Sequence, residues 1–153
     1  MITQLLLIVA TLTTGVIYGT DVFHAIVVKK AATHSKDASI ADLMGHTHLI
    51  ADQRMPVFGI AALFSTATGA ILNIDNLLIA CLLGSALLLL LSHLYLYMAI
   101  AKPVNKIMTA GVVNNVVPTD IRALQNRWDS IINYRAAFLT MAMILLSIAV
   151  ISL

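Results

Sequence analysis

The run Leu77–Ala101, LLIACLLGSALLLLLSHLYLYMAIA, constrains this chain more than any other stretch. A helix rises about 1.5 Å per residue, so about 20 apolar residues cross a hydrocarbon core ~30 Å thick. No Asp, Glu, Lys or Arg interrupts the run, and its one imidazole is His93. It reads as a transmembrane helix, and the remaining segments read as its partners and connections.

The totals agree with that reading. The chain is 60% hydrophobic and 10% charged, whereas soluble domains carry about 25% charged residues. One membrane domain over residues 1–153 is the economical assignment. A formal charge of +2, with no basic cluster interleaved with aromatics, argues against nucleic-acid binding. All seven acids are Asp, which disfavours di-iron sites built from Glu and Glu-x-x-His. The single cysteine, Cys81, can form neither an internal disulfide nor a thiolate cage.

Leu5–Val28 is the first apolar segment. It lacks a basic leader, so a retained transmembrane helix is expected rather than a signal peptide. Gly15 and Gly19 share a face and allow close helix approach, and Asp21 and His24 are surface neighbours three apart. Lys29–Ser39 is polar and reads as a loop or frayed helix end, with Ser39 as N-cap and Asp42 near the positive end of the next helix. That helix is expected from Ile40 to Leu72, amphipathic at first, then apolar, with a kink at Pro56. Ser65 and Gly69 give it a small-residue face. Asn73–Asn76, NIDN, is too short for anything but a tight antiparallel turn. After the central run, Lys102–Asp120 carries breakers and reads as a loop or interfacial segment. Thr119 caps a last helix, whose spanning part is Ala136–Leu153 or begins near Ile131.

The expectation is therefore all-α: a four-helix up-down-up-down bundle with helices at about 4–30, 40–72, 77–101 and 120–153. The first connection holds Lys29, Lys30 and Lys36; the third holds Lys102, Lys106, Arg122 and Arg127; the second has no Lys or Arg. The positive-inside rule then places loops one and three in the cytoplasm, and both termini and the NIDN turn outside.

This topology gathers polar groups at one end. His24, His46, His48, Asp52, Arg54, His93, Tyr95, Tyr97, Trp128, Asp129, Tyr134 and Arg135 all fall there. Charges at membrane depth face a bundle interior or cavity, so an inner-leaflet polar pocket is expected. The aromatics also suit interfacial anchoring, and Arg54 and Arg135 suit ion pairs with Asp52 or Asp129. His48 and Asp52 share a face, as do His93 and Tyr97. Asp21, His24, His48, Asp52 and His93 can converge between three helices as ligands for iron, copper or zinc. His24 and His93 can alternatively be axial ligands of a haem.

The C-terminal half carries a resemblance. PVNK after the third helix, followed by LQNRWDSIINYRAAFLTMAMILLSIA, resembles the anthrone oxygenase-like family of small four-helix membrane proteins. The matching positions are Gly15 and Gly19, Pro103 and Asn105, and Trp128 and Arg135. Members often carry a His between that Trp and Arg; here Ile131, Ile132, Asn133 and Tyr134 stand there instead. The resemblance implies oxygen-dependent oxidation of a lipophilic phenolic or quinone-like substrate. His24, His48 or His93 would then act as base, and Arg54 or Arg135 would stabilise the developing oxyanion. The competing readings are a haem- or metal-binding redox protein, and a non-catalytic subunit or assembly factor of a membrane complex. A transport pathway would require homo-oligomerisation. No nucleophile elbow, phosphate loop or metalloprotease helix supports hydrolysis or nucleotide chemistry.

Overall fold

In the computed structural model, which describes all residues Met1–Leu153, the chain is an all-α four-helix bundle. The helices are α1 (Ile2–His34), α2 (Asp37–Leu72), α3 (Leu77–Val113) and α4 (Ile121–Ile151), and each is long and apolar enough to cross a membrane. Neighbours pack in the order α1–α2–α3–α4, and α4 closes the ring against α1. Only 17–33% of the residues in the most apolar windows are buried, so most of these residues are partly or fully exposed on the bundle surface. A soluble bundle does the reverse; an outward apolar surface of this extent suits lipid.

Three apolar layers fill the interior. Leu7, Ala10, Ile79, Leu83, Ala86, Leu146 and Ala149 pack the end that carries the termini and the NIDN turn. Ile17, Ala62, Leu90, Leu139 and Ala142 form a middle layer. A third layer, around Ile40, Met44, Val104, Met108, Leu124, Trp128 and Ile132, packs the opposite end. Most of the buried polar groups lie between the middle and third layers and within the third.

Several boundaries differ from the sequence expectation. The polar stretch after Val28 is helical to His34, and only Ser35 and Lys36 link α1 to α2. Arg122 of α4 explains the extension. Its guanidinium donates to the carbonyls of Ala32 and Ser35, satisfying acceptors at the helix end, and to the Asp37 carboxylate. α2 begins at Asp37, not Ile40; extended Lys36 precedes it, and Ser39 is already inside the helix. α2 runs through Pro56 as one element.

The largest difference follows the central run. α3 does not end at Ala101 but continues to Val113, through the stretch read as a loop. It stops in a Schellman motif: Val116 N–H donates to the Gly111 carbonyl, Asn115 N–H to that of Val112, and Asn115 takes φ 54°. α4 starts after Asp120 rather than Thr119, with no side-chain cap. The NIDN turn is as expected, with Asn76 Oδ1 accepting from Ile79 N–H.

Two helices carry a π turn: His24–Val28 in α1 and Tyr97–Ala101 in α3. Each is closed by an i→i+5 bond, from Lys29 N–H to His24 O and from Lys102 N–H to Tyr97 O. The widened turn before Pro103 accommodates a ring that would clash in a regular helix.

At about 1.5 Å per residue, α2 and α3 are each roughly 55 Å long, far beyond the ~30 Å hydrocarbon thickness. Both are therefore longer than a hydrocarbon core alone requires.

Candidate functional site

All four helices send polar side chains into this end of the bundle, between the middle and third layers and within the third. α1 supplies Asp21 and His24, α2 supplies His48 and Asp52, α3 supplies His93, Tyr97 and Asn105, and α4 supplies Gln125, Trp128, Asp129 and Arg135. The sequence reason on α4 is direct: Gln125, Trp128, Ile132, Arg135 and Leu139 recur every three or four residues and share its buried face.

The deepest group is Asp21, Arg135 and His93. Arg135 grips the Asp21 carboxylate as a fork, Nε to Oδ2 at 3.0 Å and Nη2 to Oδ1 at 2.9 Å. His93 Nε2 lies 2.9 Å from Asp21 Oδ2 and 3.2 Å from Arg135 Nε. A protonated Nε2 donates to the carboxylate; a bare Nε2 accepts from the guanidinium. The ring nitrogen thus has a partner in either state, which suits a group that takes and returns a proton. Asp21 is 4% and Arg135 6% exposed, so the charges are desolvated and depend on each other.

A second group joins α2, α3 and α4. Asp52 Oδ1 accepts from Tyr97 OH at 2.8 Å and from Asn105 Nδ2 at 3.0 Å, and Asn105 Oδ1 accepts from Trp128 Nε1 at 3.0 Å. In a regular helix, residues eight apart differ by about 80° around the axis. The extra residue in the Tyr97–Ala101 π turn makes the effective spacing seven, leaving about 20°, so Tyr97 and Asn105 reach one carboxylate.

A third group joins α1 and α4. Asp129 Oδ1 accepts from His24 Nε2 and from Gln125 Nε2, both at 3.0 Å, and Lys29 Nζ donates to the Asp129 carbonyl at 3.1 Å. The π turn at His24–Val28 has the same effect here, bringing His24 and Lys29 towards one face.

Trp128 links the groups. Its indole lies 4.2 Å from the His24 ring and 5.5 Å from the His48 ring, and the Arg135 guanidinium is 5.3 Å from its centroid. Arg135 is also 5.9 Å from the Tyr97 centroid. Two atoms beside this indole, Arg135 Nη1 and His48 Nε2, are buried with no partner. Such atoms cost about 1–3 kcal/mol each unless a ligand or water engages them.

The structure brings together most of the expected residues, with different pairings. His24 bonds Asp129 rather than Asp21, and Arg135 bonds Asp21 rather than Asp129. Arg54 is exposed and has no ion pair, so it leaves the candidate set: its helix face points away from the bundle. His46 is exposed and near Asp42, while Tyr95 and Tyr134 are 70% and 64% exposed. The five expected metal ligands, Asp21, His24, His48, Asp52 and His93, do not form one shell, and no three His, Cys, Asp or Glu side chains gather for an ion. Asp21 and His93 are paired with each other and with Arg135, His24 with Asp129, and Asp52 with Tyr97 and Asn105, while His48 Nε2 has no partner. His24 and His93 likewise direct Nε2 at separate carboxylates, which does not fit axial ligation of a haem.

Sequence reasoning missed Gln125 and Lys29, and reached Asn105 only through the resemblance. Gln125 had a signal: it precedes Asp129 by four residues, hence on one face. Lys29 had none, because only the π turn aligns it. Comparisons with protein-family models, with curated proteins and with solved structures find no match for this chain.

Proposed function

We propose that this chain is an integral membrane oxidoreductase of the anthrone oxygenase-like type, acting with dioxygen on a lipophilic phenolic or quinone-like carbon acid at the Asp21–His93–Arg135 centre. The observation that carries the reading is the free Arg135 Nη1 beside a histidine able to take a proton. The Lys- and Arg-rich end faces the cytoplasm in this reading, by the positive-inside rule.

His93 takes a proton from the acidic CH2 group at Nδ1, the ring nitrogen that Asp21 and Arg135 leave free. The negative charge spreads to the ring oxygen, which Arg135 Nη1 stabilises by a charge-assisted hydrogen bond. The electron-rich anion passes an electron to dioxygen, and the two radicals combine into a C–O bond. The peroxide oxygen recovers the proton from His93. Loss of water from the resulting hydroperoxide gives the carbonyl. In sum, one CH2 and one O2 become one C=O and one H2O. Asp21 holds the His93 ring and faces its charged form. The desolvated site strengthens each of these interactions.

The test is oxygen uptake by the purified protein in lipid nanodiscs supplied with an anthrone. The expected result is uptake matched mole for mole by quinone absorbance, and lost in His93→Gln. Uptake no faster than in empty nanodiscs would refute the reading.

A further inference from the structure

A cleft of about 240 Å³ opens between the last turns of α1 and the first turns of α4. Its walls are Ala32, Thr33, Arg122, Gln125, Asn126 and Asp129, so only Ala32 is apolar. It has room for several water molecules. Asp129, in its wall, is the residue whose carboxylate holds His24 at 3.0 Å.

We propose that this cleft is a hydrated proton port: its water exchanges protons with the Asp129–His24 pair, which connects the loop-side solvent to the buried network. A port of this kind serves any buried proton chemistry, so it stands apart from the oxidation proposed above.

The occupant follows from the groups around the cleft. Gln125 Nε2 donates to Asp129 Oδ1, which fixes the amide orientation, since the reverse would turn its carbonyl on the carboxylate. Gln125 Oε1 is then left buried without a partner. Lys29 from α1 and Arg122 from α4 place two fixed positive charges alongside, which disfavours a metal cation. The Gln125 and Asp129 oxygens disfavour an anion. Arg122 does not fill the space, because Asp37 of α2 and the Ala32 and Ser35 carbonyls hold its guanidinium. Water remains.

The route inward is short. The His24 and Asp129 side chains are 10% and 9% exposed, nearly buried but not sealed. His24 is one turn from Asp21 on α1, and its ring packs on Trp128, whose indole also meets His48 of α2. Protons reaching His24 therefore arrive beside the Asp21–His93–Arg135 centre.

Exchange of the imidazole C2 hydrogen in D2O, read for each histidine by mass spectrometry, tests the port in the full-length protein in nanodiscs. His24 is expected to exchange at a rate near those of exposed His34 and His46, with His48, which is 5% exposed, at least about tenfold slower. Asn126→Trp fills the cleft and is expected to slow His24 about tenfold, leaving His34 and His46 unchanged. Thr33→Phe is a second plug, used if Asn126→Trp loses the fold, which fast exchange at His48 would reveal. A His24 as slow as His48 in the wild type, or one indifferent to the plug in a folded variant, overturns the port.

Discussion

Arg135 and Asp21 stand 114 residues apart in sequence and share two hydrogen bonds, 3.0 Å from Nε and 2.9 Å from Nη2. This fork joins the first helix to the last and orders the centre of the bundle. Asp21→Asn leaves the guanidinium buried without a counter-charge, a change that costs about 3–5 kcal/mol in comparable settings. Replacing both partners, Asp21→Leu with Arg135→Leu, is expected to recover most of that loss. Unfolding in a denaturing detergent, run as a double-mutant cycle, measures the coupling. A single variant as stable as wild type would show that the fork holds nothing together.

Gly45 sets the approach of α2 to the far end of α3. A Cβ there would stand 2.5 Å from Val112 Cγ1 and 3.0 Å from the Met108 carbonyl oxygen. Gly45→Ala is expected to destabilise by about 1–3 kcal/mol. Gly19 has nothing within 4 Å of the same position. Gly19→Ala is expected to be neutral or to stabilise by up to about 1 kcal/mol through helix propensity. Thermal melts of the two variants side by side decide the matter.

Ile26 lies in the π turn of α1 and is 71% exposed. Deleting it removes the extra residue and lets the turn close as a regular helix, while Lys29 and everything beyond keep their phase. Ala32 then stays in the core, and the bonds from Lys29 to Asp129 and from Arg122 to Ala32 are retained. The expected outcome is an unchanged helical circular dichroism spectrum with a melting temperature no lower than wild type, whereas deletion of Leu12, in the regular part of α1, lowers it. Equal losses in the two deletions would mean that the turn does not absorb an extra residue.

Arg54 and Arg135 separate the two arginines of the original candidate set. Arg54→Ala removes an exposed side chain without an ion pair and is expected to shift stability by less than about 0.5 kcal/mol. Anthrone oxidation in nanodiscs should be unaltered. Arg135→Lys keeps the charge but cannot fork, and is expected to lower the rate at least about tenfold. Equal rates in the two variants would remove Arg135 from the chemistry.

The helix count, the turn at Asn73–Asn76 and the crowding of polar groups at one end were legible because each follows from apolar length or local turn chemistry. The pairings were not. Asp21 and Arg135 are distant in sequence, and nothing local distinguishes Asp21 from Asp129 as the partner of Arg135. The extensions of α1 to His34 and of α3 to Val113 were hidden for another reason. Arg122 satisfies the first from a different helix, and a π turn carries the second past Pro103. The same two π turns shift the helical phase by one residue, so a strict 3.6-residue reading places Lys29 and Asn105 on the wrong faces.

The overhang of α2 and α3 gives the centre an unusual address. At about 1.5 Å per residue, His93 and Arg135 lie roughly 24 Å from the apolar ends of their helices, and Asp129 roughly 33 Å. These depths straddle the far boundary of a ~30 Å hydrocarbon slab. Cellular bilayers differ in thickness by a few Å. A few Å of thickness therefore moves the boundary around Asp129 and its partner His24 while His93 and Arg135 stay inside the slab, so lipid composition would set the wetting of the outer pair and leave the centre dry.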